Sequence, residues 1–209
     1  MISHDCGVII VNIPFNGTDI FEDLYIKKHE RNIIASSDVK KLPNKEPLTG
    51  RNLAKIIRQF HDYEVFSIVK SPYRRAYEMW IAGQKKLKQS NIKKQNLGEY
   101  YENLLNGWNC VEDDSILRQT SYLKTKNNTY FGEKNVNFEV TNLFNYEKLI
   151  ENNLYELNDF LTENNLHSLQ FYVDPFYHED WREHFDSHSI DLINYIFDED
   201  FEYCGYGKI

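Results

Sequence analysis

Two short segments of the chain carry residue types that suit the binding of an anion. The first is Pro14–Thr18 (PFNGT), a glycine turn between an apolar run and a stretch of helical spacing. Such a turn offers backbone N–H groups and the positive end of a helix dipole to a negative ligand. The second is Lys70-Ser71-Pro72, which places an ammonium and a hydroxyl group directly after another apolar run. Both segments therefore predict contacts with a negatively charged ligand.

The first segment requires a strand before it and a helix after it. Gly7–Pro14 (GVIIVNIP) has the continuous apolar run of a buried strand. Asp19–Lys28 places its apolar side chains at helical spacing. The pattern predicts a strand–turn–helix unit. Its candidate ligand-binding residues are Phe15, Asn16, Gly17 and Thr18.

The second segment follows Val65–Val69, a β-branched and aromatic run typical of a strand that is covered on both faces. Pro72 suits the first turn of a helix, where its missing N–H is harmless, and a helix is predicted over Arg74–Leu87. Lys70 and Ser71 then fall at the carboxyl end of a strand, where open α/β sheets usually bind small ligands. We count both as candidate binding residues.

The remaining patterns predict alternating helices and strands. Arg51–Tyr63 has an amphipathic helical pattern that leads into the second strand, and this order favours parallel neighbouring strands with right-handed crossovers. Short strands are predicted at Asn32–Ala35 and Val136–Val140. Further helices are predicted at Leu97–Trp108, Tyr146–Asn165, His178–Phe185 and Ser187–Phe197. We therefore expect a single α/β domain over residues 1–209, with a central, mostly parallel sheet flanked by helices.

Composition narrows the possible partners. The chain has 209 residues, 41% of them hydrophobic, which is typical of a packed globule. A formal net charge of −8 disfavours nucleic acid and anionic membranes as partners. No apolar run approaches the roughly 20 residues of a membrane helix, and no leader peptide is recognisable, so we expect a cytoplasmic protein. Cys6, Cys110 and Cys204 match no metal pattern, and we expect reduced thiols and no metal.

Three features leave two interpretations open. Trp80 is either a core residue or a stacking partner for adenine. Gln119 and Tyr122 either support the structure or approach the ligand. The lysines from Lys85 to Lys94 form either a solvated surface or a basic rim that steers an anionic cofactor or an acidic glycan.

The two anion-binding segments resemble the phosphosulfate-binding segments of sulfotransferases, particularly the carbohydrate-type branch. Residues 14–19 (PFNGTD) are similar to that family's 5′ loop, and residues 69–78 (VKSPYRRAYE) to its 3′-phosphate segment. Residues 118–123 (RQTSYL) resemble the family's Pro-Gln-x-x-Tyr-Leu step, and residues 198–206 (DEDFEYCGY) resemble its closing motif. The resemblance implies a three-layer, P-loop-like fold. It also implies 3′-phosphoadenosine 5′-phosphosulfate as the co-substrate.

Several positions depart from that family's pattern. Phe15 stands where the family has a lysine, Glu78 falls at its 3′-phosphate serine, and Asp19 replaces a loop hydroxyl. Lys70 keeps the charge of the family's arginine without its bidentate fork. A carboxylate such as Glu78 repels a phosphate unless a cation intervenes.

Three functions follow as hypotheses. The first is transfer of a sulfonate to a hydroxyl or amine acceptor, with a small molecule or a glycan as partner. The second is a catalytically inactive protein on the same scaffold, which the substitutions at Phe15, Asp19 and Glu78 favour. The third is a phosphoryl-transfer enzyme, which is disfavoured because no Walker lysine follows Gly17. The base that would activate an acceptor is not assigned, and its candidates are His29, Glu30, Asp38 and His61.

Overall fold

A computed structural model describes residues 2–3, 7–17, 33–34, 62–106, 118–124, 139–140, 142–166, 168–169 and 180–209. Backbone contacts divide the chain into two compact units. Unit 1 comprises Met1–Val69 and Gln119–Tyr172, and unit 2 comprises Lys70–Arg118 and Val173–Ile209.

Unit 1 contains a five-stranded sheet. Its strands are β1 Ile2–Ser3, β2 Val8–Val11, β3 Ile33–Ile34, β4 Glu64–Val69 and β5 Asn142–Asn145. Their order in the sheet is β3-β1-β2-β4-β5. The strands β2, β4 and β5 are parallel, whereas β1 is antiparallel to both of its neighbours. The side chains of β2 are all buried, as expected of a strand that is covered on both faces.

The parallel pairing brings the carboxyl ends of β2 and β4 to one edge of the sheet. Val11 pairs with Ser67, and Val69 pairs with Asn145. The buried Ser67 hydroxyl donates to Val11 O at 2.8 Å, which ties the two strands together through a side chain. The turn that follows β2 therefore begins at the edge where β4 ends.

Seven α-helices lie in the described ranges. They are α1 Pro72–Gln89, α2 Leu97–Leu105, α3 Thr120–Leu123, α4 Tyr146–Glu151, α5 Tyr155–Glu163, α6 Ser187–Ile196 and α7 Asp198–Tyr203. A 3₁₀-helix covers Trp181–His184. None of the helices in the described ranges has the length and apolarity that a membrane crossing would need.

Aromatic rings pack α5 onto the sheet of unit 1. The Phe160 ring of α5 meets the Phe66 ring of β4 edge to face at a centroid distance of 5.1 Å. It also meets the Phe144 ring of β5, at 5.3 Å. This geometry is the one that aromatic pairs prefer in protein cores.

Unit 2 has a separate core, which is built on the buried face of α1. Tyr73, Ala76, Tyr77 and Trp80 supply this face, and residues of α2, α6 and α7 pack against it. Gly83 lets α2 approach closely, because a Cβ at this position would lie 2.5 Å from the Tyr100 ring.

The α/β prediction is confirmed as a mixed α/β fold with three parallel strands and packed helices. The strand at Asn32–Ala35 is confirmed at β3, and the predicted strand at Val65–Val69 is confirmed at β4. The predicted helices at Asp19–Lys28 and over most of Arg51–Tyr63 lie outside the described residues.

Three predicted elements differ from the structure. The helix predicted over Tyr146–Asn165 is two helices, because Asn153 and Leu154 take positive φ values of 50° and 62°. A strand was predicted over Val136–Val140, but its described residues, 139–140, form only an isolated bridge through Glu139. The strand that joins the sheet is β5, at Asn142–Asn145. The helix expected to end at Phe185 is, in its described part, only the short 3₁₀ turn.

The buried hydroxyl of Tyr101 predicts a change of stability at alkaline pH. This hydroxyl donates to Ala76 O at 3.0 Å, and burial raises its pKa well above 10.0, with a smaller contribution from Tyr100. A raised folded-state pKa means that the stabilisation is complete below the unfolded pKa and is lost as pH rises through the folded value. We expect Tyr101→Phe to cost about 1 kcal/mol at neutral pH. This difference should shrink above about pH 10 in urea titrations, and a difference that stays constant with pH would contradict the assignment.

Candidate functional site

The turn after β2 has an unusual backbone. Asn16 N–H donates to Ile13 O at 3.2 Å, which closes a β-turn with Pro14 and Phe15 at its centre. Phe15 has a φ of +67°, the pattern of a type II turn, in which glycine or asparagine is normally required at this position. A bulky residue in the left-handed region costs about 1–2 kcal/mol, and such strain is concentrated at functional sites.

Asn16 ties this turn to the neighbouring strand and to a distant residue. Its side chain is fully buried, and its amide nitrogen donates to Ile68 O at 2.9 Å and to Gln119 Oε1 at 2.6 Å. Its Oδ1 atom is buried and meets no hydrogen-bond donor in the part of the chain that the structure describes. The Asn16 side chain thus holds the glycine turn against the end of β4. Its acceptor there, Ile68, is two residues before Lys70 in the sequence.

Gly17 is required both by its conformation and by the space around it. Its φ is +77°, and a Cβ built on it would lie 2.6 Å from Cε2 of the buried Tyr146 ring. The Gly17 N–H has no acceptor among the described residues. This N–H group is therefore a candidate donor to a ligand anion.

Gly17→Ala is expected to destabilise the protein by about 2–4 kcal/mol, because the strain of positive φ adds to the overlap with Tyr146. Urea unfolding measures the loss. Gly205→Ala is the matched control, since Gly205 has a φ of +73° and no atom within 4 Å of a built Cβ. A loss no larger than that of the control would show that the Tyr146 ring moves aside without cost.

The start of α1 in unit 2 holds a buried ion pair. Lys70 is only 2% exposed, and its Nζ donates to both Glu78 oxygens at 2.9 Å. Arg74 adds a more distant contact, with its Nε 3.7 Å from Glu78 Oε1. The Glu78 side chain is 11% exposed and that of Lys70 only 2%, so Glu78 is the more accessible member of the pair.

Cations outnumber this carboxylate at the start of α1. Arg74 and Arg75 are both buried, and the Arg75 guanidinium lies 5.8 Å from the centre of the Phe197 ring. The first turn of α1 contains no acidic residue, and Ser71 makes no side-chain cap. Positive side chains and the positive end of the helix dipole therefore coincide here, where an anion would be stabilised.

The structure places the predicted site residues in two groups. Phe15, Asn16 and Gly17 form one turn, whereas Lys70 and Ser71 lead into α1. Phe15 is half-buried rather than open to solvent. Thr18 and Asp19 lie outside the described residues, as do the four candidate bases.

Two contacts were not recognised from sequence. Gln119 is fully buried and is bonded to Asn16, which gives it a structural role in unit 1 whatever else it contacts. Glu78, expected only to repel a phosphate, is the direct partner of Lys70. Its spacing of eight residues from Lys70 is not a helical pairing pattern, so no local signal indicated the contact.

The other sequence candidates also have definite positions. Trp80 is 5% exposed, belongs to the unit 2 core and donates through Nε1 to Gln95 O at 3.0 Å, which supports the core interpretation. The lysines that were considered as a rim are all exposed: Lys85, Lys86, Lys88, Lys93 and Lys94.

A surface depression in unit 2 is lined by charged residues that are already paired. Arg118 binds Glu199 at 3.1 Å, and Lys208 binds Asp198. This depression adds no separate candidate site.

No protein-family model, curated protein or solved structure matches this chain.

Proposed function

We propose that the chain is a sulfotransferase-like protein that transfers a sulfonate from a nucleoside phosphosulfate to a hydroxyl or amine acceptor. The resemblance suggests 3′-phosphoadenosine 5′-phosphosulfate as the donor and a glycan as an acceptor to test. A three-layer, P-loop-like fold is part of the same proposal.

The observation that carries this proposal is the position of the glycine turn. The turn stands at the carboxyl end of β2 and is bonded through Asn16 to Ile68, near the end of the adjacent parallel strand β4. Ligands of open α/β sheets bind outside the carboxyl ends of such strands. The Gly17 N–H supplies a hydrogen-bond donor on this turn. Taken by itself, the start of α1 in unit 2 carries three buried cations, Lys70, Arg74 and Arg75.

The proposed transfer sets clear requirements. A bond forms between the acceptor oxygen or nitrogen and sulfur, and the bond from sulfur to the bridging oxygen breaks. The leaving phosphate keeps the bonding electrons, and a base takes the acceptor proton. Donors must stabilise the charge that develops on that phosphate. Phe15 has no such donor in its side chain, so the backbone N–H of Gly17 is the group of this turn assigned to that role.

The residues fit the 3′-phosphorylated donor only in part. Three buried cations at the start of α1 suit an anionic group, but Glu78 already neutralises Lys70. That pair favours a second candidate function, in which the same scaffold binds a glycan, peptide or protein partner without catalysis.

Calorimetric titration tests the proposal. The probes are adenosine 5′-phosphate and adenosine 3′,5′-bisphosphate. They are the products left by adenosine 5′-phosphosulfate and by its 3′-phosphorylated form, respectively. We expect at least one nucleotide to bind, and Lys70→Met to weaken that binding about 10-fold or more. The matched control is Lys88→Met, which removes an exposed lysine from α1, the helix that follows Lys70.

An assay of sulfonate transfer distinguishes the two candidate functions. Transfer of a radiolabelled sulfonate from either nucleoside phosphosulfate to a glycan, hydroxyl or amine acceptor would establish the first. If neither nucleotide binds the wild-type chain, Glu78→Ser or Glu78→Gln, the sulfotransferase proposal is refuted and the second candidate function stands.

A further inference from the structure

The Lys70–Glu78 pair determines which groups the start of α1 can offer to a ligand. Both Glu78 oxygens lie 2.9 Å from Lys70 Nζ, and the ammonium is 2% exposed. A ligand phosphate cannot replace Glu78 cheaply, because the carboxylate would have to leave a buried cation and be solvated elsewhere. Glu78 therefore stays in place, and with 11% of its side chain exposed it is the more accessible member of the pair.

A carboxylate discriminates between a phosphate and a hydroxyl group. A phosphate monoester carries about two negative charges and only weakly acidic protons, so a carboxylate repels it. A hydroxyl group is neutral and donates a hydrogen bond to a carboxylate, which is a strong, charge-assisted bond. Dinucleotide-binding folds use the same rule, with an acidic residue on a ribose hydroxyl and an arginine for a ribose phosphate.

The neighbouring arginine does not reverse this preference. Arg74 is itself turned toward Glu78, with its Nε 3.7 Å from Oε1, so part of its field is directed at the carboxylate. The carboxylate and Lys70 together are close to neutral, which suits an uncharged ligand group that can donate a hydrogen bond.

We propose that Glu78 makes this chain selective for a nucleotide with a free ribose 3′-hydroxyl, so that the donor is adenosine 5′-phosphosulfate rather than its 3′-phosphorylated form. This inference rests on the proposed function and narrows its substrate. Glu78 accepts the 3′-hydroxyl, and Lys70 holds the carboxylate in place.

Competitive titration of the two product nucleotides tests the inference. We expect the wild-type chain to bind adenosine 5′-phosphate about 10- to 100-fold more tightly than adenosine 3′,5′-bisphosphate. In Glu78→Ser the order should reverse, because the carboxylate that repels the 3′-phosphate is removed and the Lys70 ammonium is no longer bonded to it. Glu78→Gln keeps the shape of the side chain and removes its charge, so it should reduce the preference even if the serine variant is unstable.

The outcomes separate the two claims. Equal or tighter binding of the bisphosphate by the wild type overturns the inference and leaves the proposed function standing. A preference for adenosine 5′-phosphate that is unchanged in Glu78→Gln also overturns it, because the selectivity then comes from another residue. Binding of neither nucleotide to the wild type, Glu78→Ser or Glu78→Gln overturns the proposed function itself.

Discussion

Replacing Glu78 with serine is expected to lower the free energy of unfolding by about 3 kcal/mol in a buffer free of multivalent anions. The substitution leaves the Lys70 ammonium 2% exposed and without its carboxylate, beside the buried Arg74 and Arg75. A buried charge that has lost its partner destabilises a protein far more than an exposed ion pair stabilises it. Urea unfolding, followed by circular dichroism, measures the loss.

Two control variants separate the buried pair from a general effect of losing a glutamate. Glu102 pairs with His188 at 2.8 Å in the same unit, but both side chains are about half exposed, at 51% and 56%. Glu102→Ser should therefore cost no more than about 0.5 kcal/mol. Replacing Lys70 and Glu78 together with methionine should recover most of the loss, because neither charge of the pair is then left buried without the other. A double variant as unstable as Glu78→Ser would contradict this explanation.

Asn16→Asp is expected to destabilise the chain by about 3–5 kcal/mol at neutral pH. The Asn16 amide donates to Ile68 O and to Gln119 Oε1, and a carboxylate would place negative oxygen atoms against both acceptors. The new carboxyl should bind its proton more tightly when folded than when unfolded. The deficit should therefore be smallest below about pH 4 and should grow as pH rises through the raised folded-state pKa.

Asn145→Asp is the matched control for this prediction. Asn145 caps α4 through its Oδ1, which accepts from Lys148 N–H at 3.0 Å, and a carboxylate performs this role equally well. The same chemical change should therefore be nearly neutral there. If the two variants have equal stabilities across the pH range, Asn16 does not act as a donor between the turn and β4.

The sequence predicted the elements whose pattern is local. β2, β4 and α1 all agree with the predicted positions to within a few residues, because a buried apolar run and a proline followed by helical spacing are strong local signals. The two-residue strand β1 was missed, since such a short strand has no periodicity to detect.

Elements that depend on tertiary contacts lie at other positions than predicted, or are divided where one element was predicted. The strand β5 reads NLFN, and asparagine disfavours strands, yet Asn142 donates to Val65 O at 3.2 Å and extends the parallel pairing with β4. Sheet context outweighs intrinsic preference at such a position. The break between α4 and α5 occurs at Asn153 and Leu154, where no glycine or proline marks a helix end, so it was not predicted.

The sequence predicted which residues belong to the candidate site but not which residues they contact. The sequence singled out Phe15, Asn16, Gly17 and Lys70, together with the carboxylate of Glu78. It could not indicate that Asn16 reaches residues 52 and 103 positions away, or that Glu78 pairs with Lys70. Such contacts arise from the packing of distant segments, which no local periodicity encodes.

The resemblance to sulfotransferases implies a phosphate-binding hydroxyl at the position of Glu78. The chain has a carboxylate there, and this carboxylate pairs with the buried Lys70. We therefore propose that Glu78 lowers the positive charge that Lys70 can offer to a ligand at the start of α1.

A crystal structure of the wild-type chain with adenosine 5′-phosphate tests the central claim most directly. We expect the ribose 3′-oxygen to lie about 2.7 Å from a Glu78 carboxylate oxygen, with Lys70 still bonded to Glu78. A nucleotide bound away from the start of α1, or a phosphate group on Lys70 with Glu78 turned out into solvent, would contradict it.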